Sequence, residues 1–332
     1  MQIKYAFLKG GKKHPMKKSL PAFAPSPIAV TIVGIIWGLI AFYFGIIYGM
    51  PLPGEEVPQW YVILNYIFEG VAHLGVAWLC LIDWQLPEII SDRKIWLLFG
   101  LRSAFYFLAN LIFGYWELIL QRSPEVSLAD PVYIVSYLLL LWGMILALRA
   151  RRVTLKTWQY GVISAIIILG IWLGWISTFP PESSQAQLVV TSPVVEQTVI
   201  ASNPSTTVAQ DSAFPIAEKE APEWVLGVEE MLKPSAEFTS LFYVVLDIIL
   251  LVLAGTLVLT FWGGQFSRTW LVVTIAALLL YIADVRYAYV AARGNFETGG
   301  LLDTLWVFST ILFGIAAVLE YDLSTSVRRR RN

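Results

Sequence analysis

Eight long apolar stretches, with basic residues gathered on alternate sides of them, constrain this chain more than any other feature. A helix needs roughly 20 apolar residues to cross about 30 Å of hydrocarbon. Stretches of that length fall near Pro27–Met50, Trp60–Ile82, Ile95–Leu118, Pro131–Leu148, Trp158–Ser177, Thr239–Phe261, Thr269–Ala292 and Leu301–Tyr321. Helix is the expected form, because lipid offers no partner for free backbone groups. The composition agrees: 57% of the 332 residues are hydrophobic and 14% charged. The fold class is therefore an all-α, polytopic membrane bundle of about eight spans. The first stretch is too long for a signal peptide and no small-residue cleavage site follows it. The second is interrupted by Glu69 and His73, so a seven-span reading stays open.

The loops orient the bundle. Lys4, Lys9, Lys12, Lys13, Lys17 and Lys18 precede the first span, Arg149, Arg151, Arg152 and Lys156 join the fourth to the fifth, and Arg328 to Arg331 close the chain. Arg93, Lys94 and Arg268 fall on that same side, against Arg122, Lys219, Lys233 and Arg293 on the other. Basic residues collect on cytoplasmic loops, which places both termini inside and makes the cytoplasmic membrane the default location. The organisation reads as a basic tail 1–26, a five-span bundle 27–177, an outward acidic loop 178–238, a three-span bundle 239–322 and a basic tail 323–332. Within the loop, Pro180 to Ala217 has the composition of a disordered segment. Ala221–Leu232 has a helical period, with Trp224, Val225, Val228 and Leu232 on one face, and suits the membrane surface. The loop is read as a spacer between bundles or as a ligand-capturing or partner-binding element.

Polar residues inside the spans carry the functional reading. Asn65, Glu69 and His73 share one face of the second span, and Arg102, Tyr106 and Asn110 one face of the third. Asp247, Asp284 and Asp303 lie in the last three. At about 1.5 Å per residue, Glu69, Asn110, Asp247 and Asp284 sit roughly 12–14 Å below the outer ends, with Tyr137 and Thr310 near the same level. Intramembrane ionisable groups face the bundle interior and mark functional sites. Glu69, His73, Asn110, Tyr137, Asp247 and Asp284 are therefore the candidate ligand-binding residues. The bland alternative is helix-to-helix glue, with Asp284 paired to Arg286 or a tyrosine; a proton path is a third.

Glu69 and His73 have the spacing of a metal pair, but the chain holds two histidines and one cysteine, Cys80, so no metal and no cofactor is expected. No hydrolytic triad, phosphate loop or redox CxxC is present, and no catalytic residue is assigned. Gly299–Gly300 and Gly263–Gly264 read as turns. The 14 tryptophans and 15 tyrosines cluster near span ends as interfacial anchors. With a net charge of −1, nucleic acid is not an expected partner, and the terminal arginines suit anionic lipid.

The chain partly echoes itself. Span four begins Asp130-Pro-Val-Tyr133 and continues to Tyr137 and Gly143; span eight begins Asp303-Thr-Leu-Trp306 and continues to Thr310 and Gly314. Spans three–four and seven–eight therefore read as parallel copies, against the alternative that apolar helices resemble one another by composition. On these residues, Ser127–Met144, Phe242–Leu257 and Tyr281–Trp306, the chain resembles the multi-span sensory regions that precede bacterial diguanylate cyclase, phosphodiesterase and histidine-kinase domains. The resemblance covers roughly Ile95 to Tyr321 and falls on Asp130, Tyr133, Tyr137, Asp247, Asp284 and Asp303. It implies an input module, and no established ligand comes with it. Here only a short basic tail follows the last span, so the expectation is an input module without an output domain. The leading reading is a non-enzymatic sensor or regulator that binds a ligand from outside and signals through a separate partner. A secondary or proton-coupled transporter and an assembly factor of a membrane complex are the alternatives.

Overall fold

The structure, a computed structural model, describes residues 26–51, 57–86, 89–122, 126–150, 155–178, 222–261, 267–291 and 298–331. The lysines and His14 of the leader, the stretch Pro180 to Ala217, and Arg151, Arg152 and Arg293 lie outside the described residues. Within them helix is the only regular structure: α1 Pro27–Tyr48, α2 Gln59–Gln85, α3 Arg93–Gly114, α4 Ala129–Arg149, α5 Thr157–Thr178, α6 Glu223–Leu232, α7 Ala236–Thr260, α8 Ser267–Ala291 and α9 Thr304–Arg331. All but α6 are long and apolar enough to cross a membrane, eight in number. The protein is a multi-pass membrane protein with an all-α bundle, and the interrupted second stretch is a full span.

Most of the core lies between α2, α3, α4, α7, α8 and α9, where Trp96, Phe99, Met144, Leu250, Leu280 and Ala316 pack together. Helices from both sides of the long loop contribute: α9 packs on α1, α2 and α8, and α7 on α4, α5 and α8. None of the eight spanning helices has a strongly one-sided pattern, because lipid and core are both apolar. Two peripheral helices make this plain. α1 turns Ile28, Ile32, Val33 and Leu39 outward and buries only Gly38, Ala41 and Gly45. Those small residues let it approach α9, where a Cβ on Gly38 would lie 2.6 Å from the Phe308 ring. α5 does the same against α7, with Gly174 beside Val244 and Gly170 beside Ile248.

At the end of the bundle that carries α6, α3 widens into a π-helical turn, Tyr115–Ile119. Gln121 then takes a left-handed conformation, φ 54°, and the Arg122 amide donates to Trp116 O at 3.1 Å. This reversal aims Arg122 at α6, where it bonds Glu229 through Nε and Nη2 at 2.9 and 2.7 Å. Trp116 meets Trp224 edge-on at 5.7 Å, and Val225 is fully buried. The amphipathic helix expected at the membrane surface thus forms and is docked on the end of α3. At the opposite end Asp92 caps α3, accepting from the Lys94 amide at 3.0 Å.

Candidate functional site

The polar side chains of the second and third spans meet. Glu69 and Asn110 are both buried, and the Asn110 amide donates to Glu69 Oε2 at 2.6 Å. The other end of the same amide, Oδ1, accepts the Tyr133 hydroxyl of α4 at 2.6 Å. An amide can do this because it carries both a donor and an acceptor, so Asn110 joins three helices. One helical turn below Glu69, His73 is sealed from solvent. Its ring stacks on Tyr106 at 4.3 Å, and its Nε2 lies 3.3 Å from the Thr310 hydroxyl of α9. Tyr106 in turn meets Tyr133 edge-on at 5.0 Å.

Asp284 of α8 is the second junction. Tyr137 of α4 donates to its Oδ2, and the indole of Trp306 on α9 donates to Oδ1 at 2.7 Å. Asp247 of α7 is buried and interacts electrostatically with Asp284, and its Oδ1 has no hydrogen-bond partner. All six sequence-predicted residues therefore fall in one connected region. Glu69 and Asn110 touch directly, as do Tyr137 and Asp284; Asp247 adjoins the latter pair, and His73 is joined through Tyr106 and Thr310.

Of the two partners offered for Asp284, Arg286 or a tyrosine, the tyrosine is the one that pairs, as Tyr137. Arg286 does not pair with Asp284. Residues two apart on a helix point to different sides, and Arg286 instead forms an ion pair with Asp303. Glu69 and His73 do not converge on one point either, each being engaged by a different neighbour, Asn110 and Thr310. Among the described residues no group of three or more His, Cys, Asp or Glu is placed to hold a metal.

The acids that open the two echoed spans have a local role. Asp130 accepts from the Ser127 amide at 2.7 Å, and Asp303 from the amides of Gly299 and Gly300 at 2.8 and 3.0 Å. Both reach back over the first turn of a helix to satisfy amides that have no partner within it. A second helix completes each: Tyr243 donates to Asp130 at 3.1 Å, and Arg286 pairs with Asp303.

Sequence reasoning missed a second acidic locus at the opposite end of the bundle. Asp83 and Glu320 are 1% and 0% exposed. Glu320 accepts from the Ser91 amide at 2.9 Å, and Ser324 from the Ile90 amide at 3.1 Å, so the connection between α2 and α3 is tied to α9. The available signal was the continuation of the polar face of α2 at helical spacing, from His73 through Val76 and Cys80 to Asp83. Also missed was the bond from Tyr66 to Glu117, 2.5 Å, which fastens the π-helical turn of α3 to α2.

The chain matches no protein-family profile, no curated protein and no solved structure.

Proposed function

We propose that this membrane protein is a non-enzymatic sensor or regulator that takes a ligand from the extracytoplasmic side into the layer around Glu69, Asn110, Tyr137, Asp247 and Asp284, and passes the event to a separate partner. The observation that carries this reading is the junction of helices at two side chains. Asn110 links α2, α3 and α4, and Asp284 links α4, α8 and α9. An occupant that took over one of these bonds would change the partners of three helices at once. That is how a local event biases a packed bundle between two arrangements. The resemblance to bacterial input regions favours the same reading. The distribution of basic residues favours both termini in the cytoplasm, with the partner met there; a C-terminal reporter that reads as exported would contradict this orientation.

A carrier is the second reading, favoured by Asp247 standing beside Asp284 and Tyr137, where a proton can be held and passed. Reconstitution into proteoliposomes separates the two. A sensor leaves labelled solutes outside, and its partner, recovered from native membranes by cross-linking, changes in yield with Glu69→Gln and Asp247→Asn. Solute uptake that disappears with Asp247→Asn would contradict the sensor and establish the carrier.

A further inference from the structure

We infer that Arg102 anchors the negative end of the ligand, and that this ligand bears a carboxylate. The inference rests on the ligand-binding reading above and names the chemistry of that site. Arg102 lies on the same face of α3 as Tyr106 and Asn110 and is 2% exposed. Among the described residues no carboxylate forms an ion pair with it. Among the described residues the ion pairs are Arg122–Glu229 and Arg286–Asp303. Its guanidinium sits between the rings of Tyr106 and Phe313, 5.0 and 5.2 Å from their centroids. Two ring faces offset part of the cost of burying the charge, but they leave the N–H groups in the guanidinium plane unanswered. Nε and Nη1 have no hydrogen-bond partner.

The neighbours are deficient in the same sense. Ser103 Oγ and His73 Nδ1 are buried without a partner, and His73 is stacked on the same Tyr106 ring. Asp284, the acid that acts on Arg102 electrostatically, has Oδ2 bonded to Tyr137 and Oδ1 to Trp306. An arginine is always charged and donates only, so its missing partner is an acceptor, and an anion satisfies it best. Charge selects among anions. One guanidinium balances one negative charge, and the carboxyl of Asp284, which already acts on Arg102, disfavours a dianion such as phosphate. A planar carboxylate matches the plane of the guanidinium. That acid comes either from water, as a small organic acid, or from the bilayer, as a fatty acid.

The test uses the full-length protein in non-ionic detergent at fixed ionic strength. Thermal unfolding is followed against sodium benzoate and sodium myristate, with benzyl alcohol and myristyl alcohol as neutral counterparts. We expect one of the two acids to raise Tm in a saturable way while its alcohol does not, and the acid that acts identifies the source. Arg102→Lys, which keeps the charge but not the planar donors, should weaken the apparent affinity at least tenfold, and Arg102→Gln should abolish the shift. Equal shifts from acid and alcohol, or an acid shift unchanged in Arg102→Lys, overturn the inference. The comparison of acid with alcohol needs no variant, so it decides even if Arg102→Gln does not fold. If neither acid acts but an amine or a neutral compound binds and is lost in Glu69→Gln, the carboxylate inference falls and the sensor reading stands. If no compound class shifts Tm, both fall.

Discussion

The helix pairs α3–α4 and α8–α9 are built alike and finished differently. In each, an acid at the start of the second helix, Asp130 or Asp303, folds back onto amides of the preceding turn. Three residues later an aromatic donor, Tyr133 or Trp306, crosses to a polar residue on the first helix, Asn110 or Asp284. The difference lies in the acceptor. Asn110 is neutral, and its donor end is spent on Glu69 of α2. Asp284 only accepts when ionised, and it draws in Tyr137 from the other pair. Among the described residues, the hydrogen bond that joins the two pairs therefore runs through one carboxyl group. An amide relays a bond onward, whereas a carboxylate gathers donors to itself.

Removing the donors should affect the two pairs unequally. Tyr137→Phe combined with Trp306→Phe leaves Asp284 buried without either donor, and we expect a loss of about 3 kcal/mol in unfolding measured in mixed micelles. Next in size is the contrast between the opening acids. Asp303→Asn strands Arg286 and should cost about 2 kcal/mol, while Asp130→Asn, whose outer partner is only a tyrosine, should cost about half that. The echoed glycines give a third contrast. A Cβ on Gly143 would lie 2.6 Å from the Phe99 ring, whereas on Gly314 its nearest neighbour is a Val76 methyl at 3.2 Å. Gly143→Ala should therefore cost about 1–2 kcal/mol and Gly314→Ala less than about 0.5 kcal/mol, read as Tm shifts in detergent. The smallest effect is expected for Tyr133→Phe, about 0.6 kcal/mol, because Asn110 keeps its bond to Glu69.

Much of this was readable in the sequence, for identifiable reasons. Span length and the scarcity of charge fix the eight helices. Helical spacing puts Asn65, Glu69 and His73 on one buried face, and rise per residue brings Glu69 level with Asn110, and Asp247 with Asp284. Which group answers which is not local information. That Asn110 takes Tyr133 rather than Tyr137, or that Arg286 passes over Asp284 for Asp303, depends on how far neighbouring helices slide and rotate, which apolar periodicity leaves open in a bundle surrounded by lipid. Asp83 and Glu320 escaped notice because acids near span ends read as interfacial, whereas here they are covered by the α2–α3 connection held to α9. The echo was visible in Asp130 and Asp303, but their function as helix-start acceptors is seen only with the backbone in place.

Asp284 is the carboxyl at which a hydrogen bond joins the two helix pairs. A double-mutant cycle on Tyr137→Phe and Asp284→Asn, with unfolding free energy in mixed micelles as the readout, tests that link directly. A coupling of about 1–1.7 kcal/mol between them is expected, at the upper end for interhelical bonds in membranes. Additive effects, with no coupling beyond error, would contradict it.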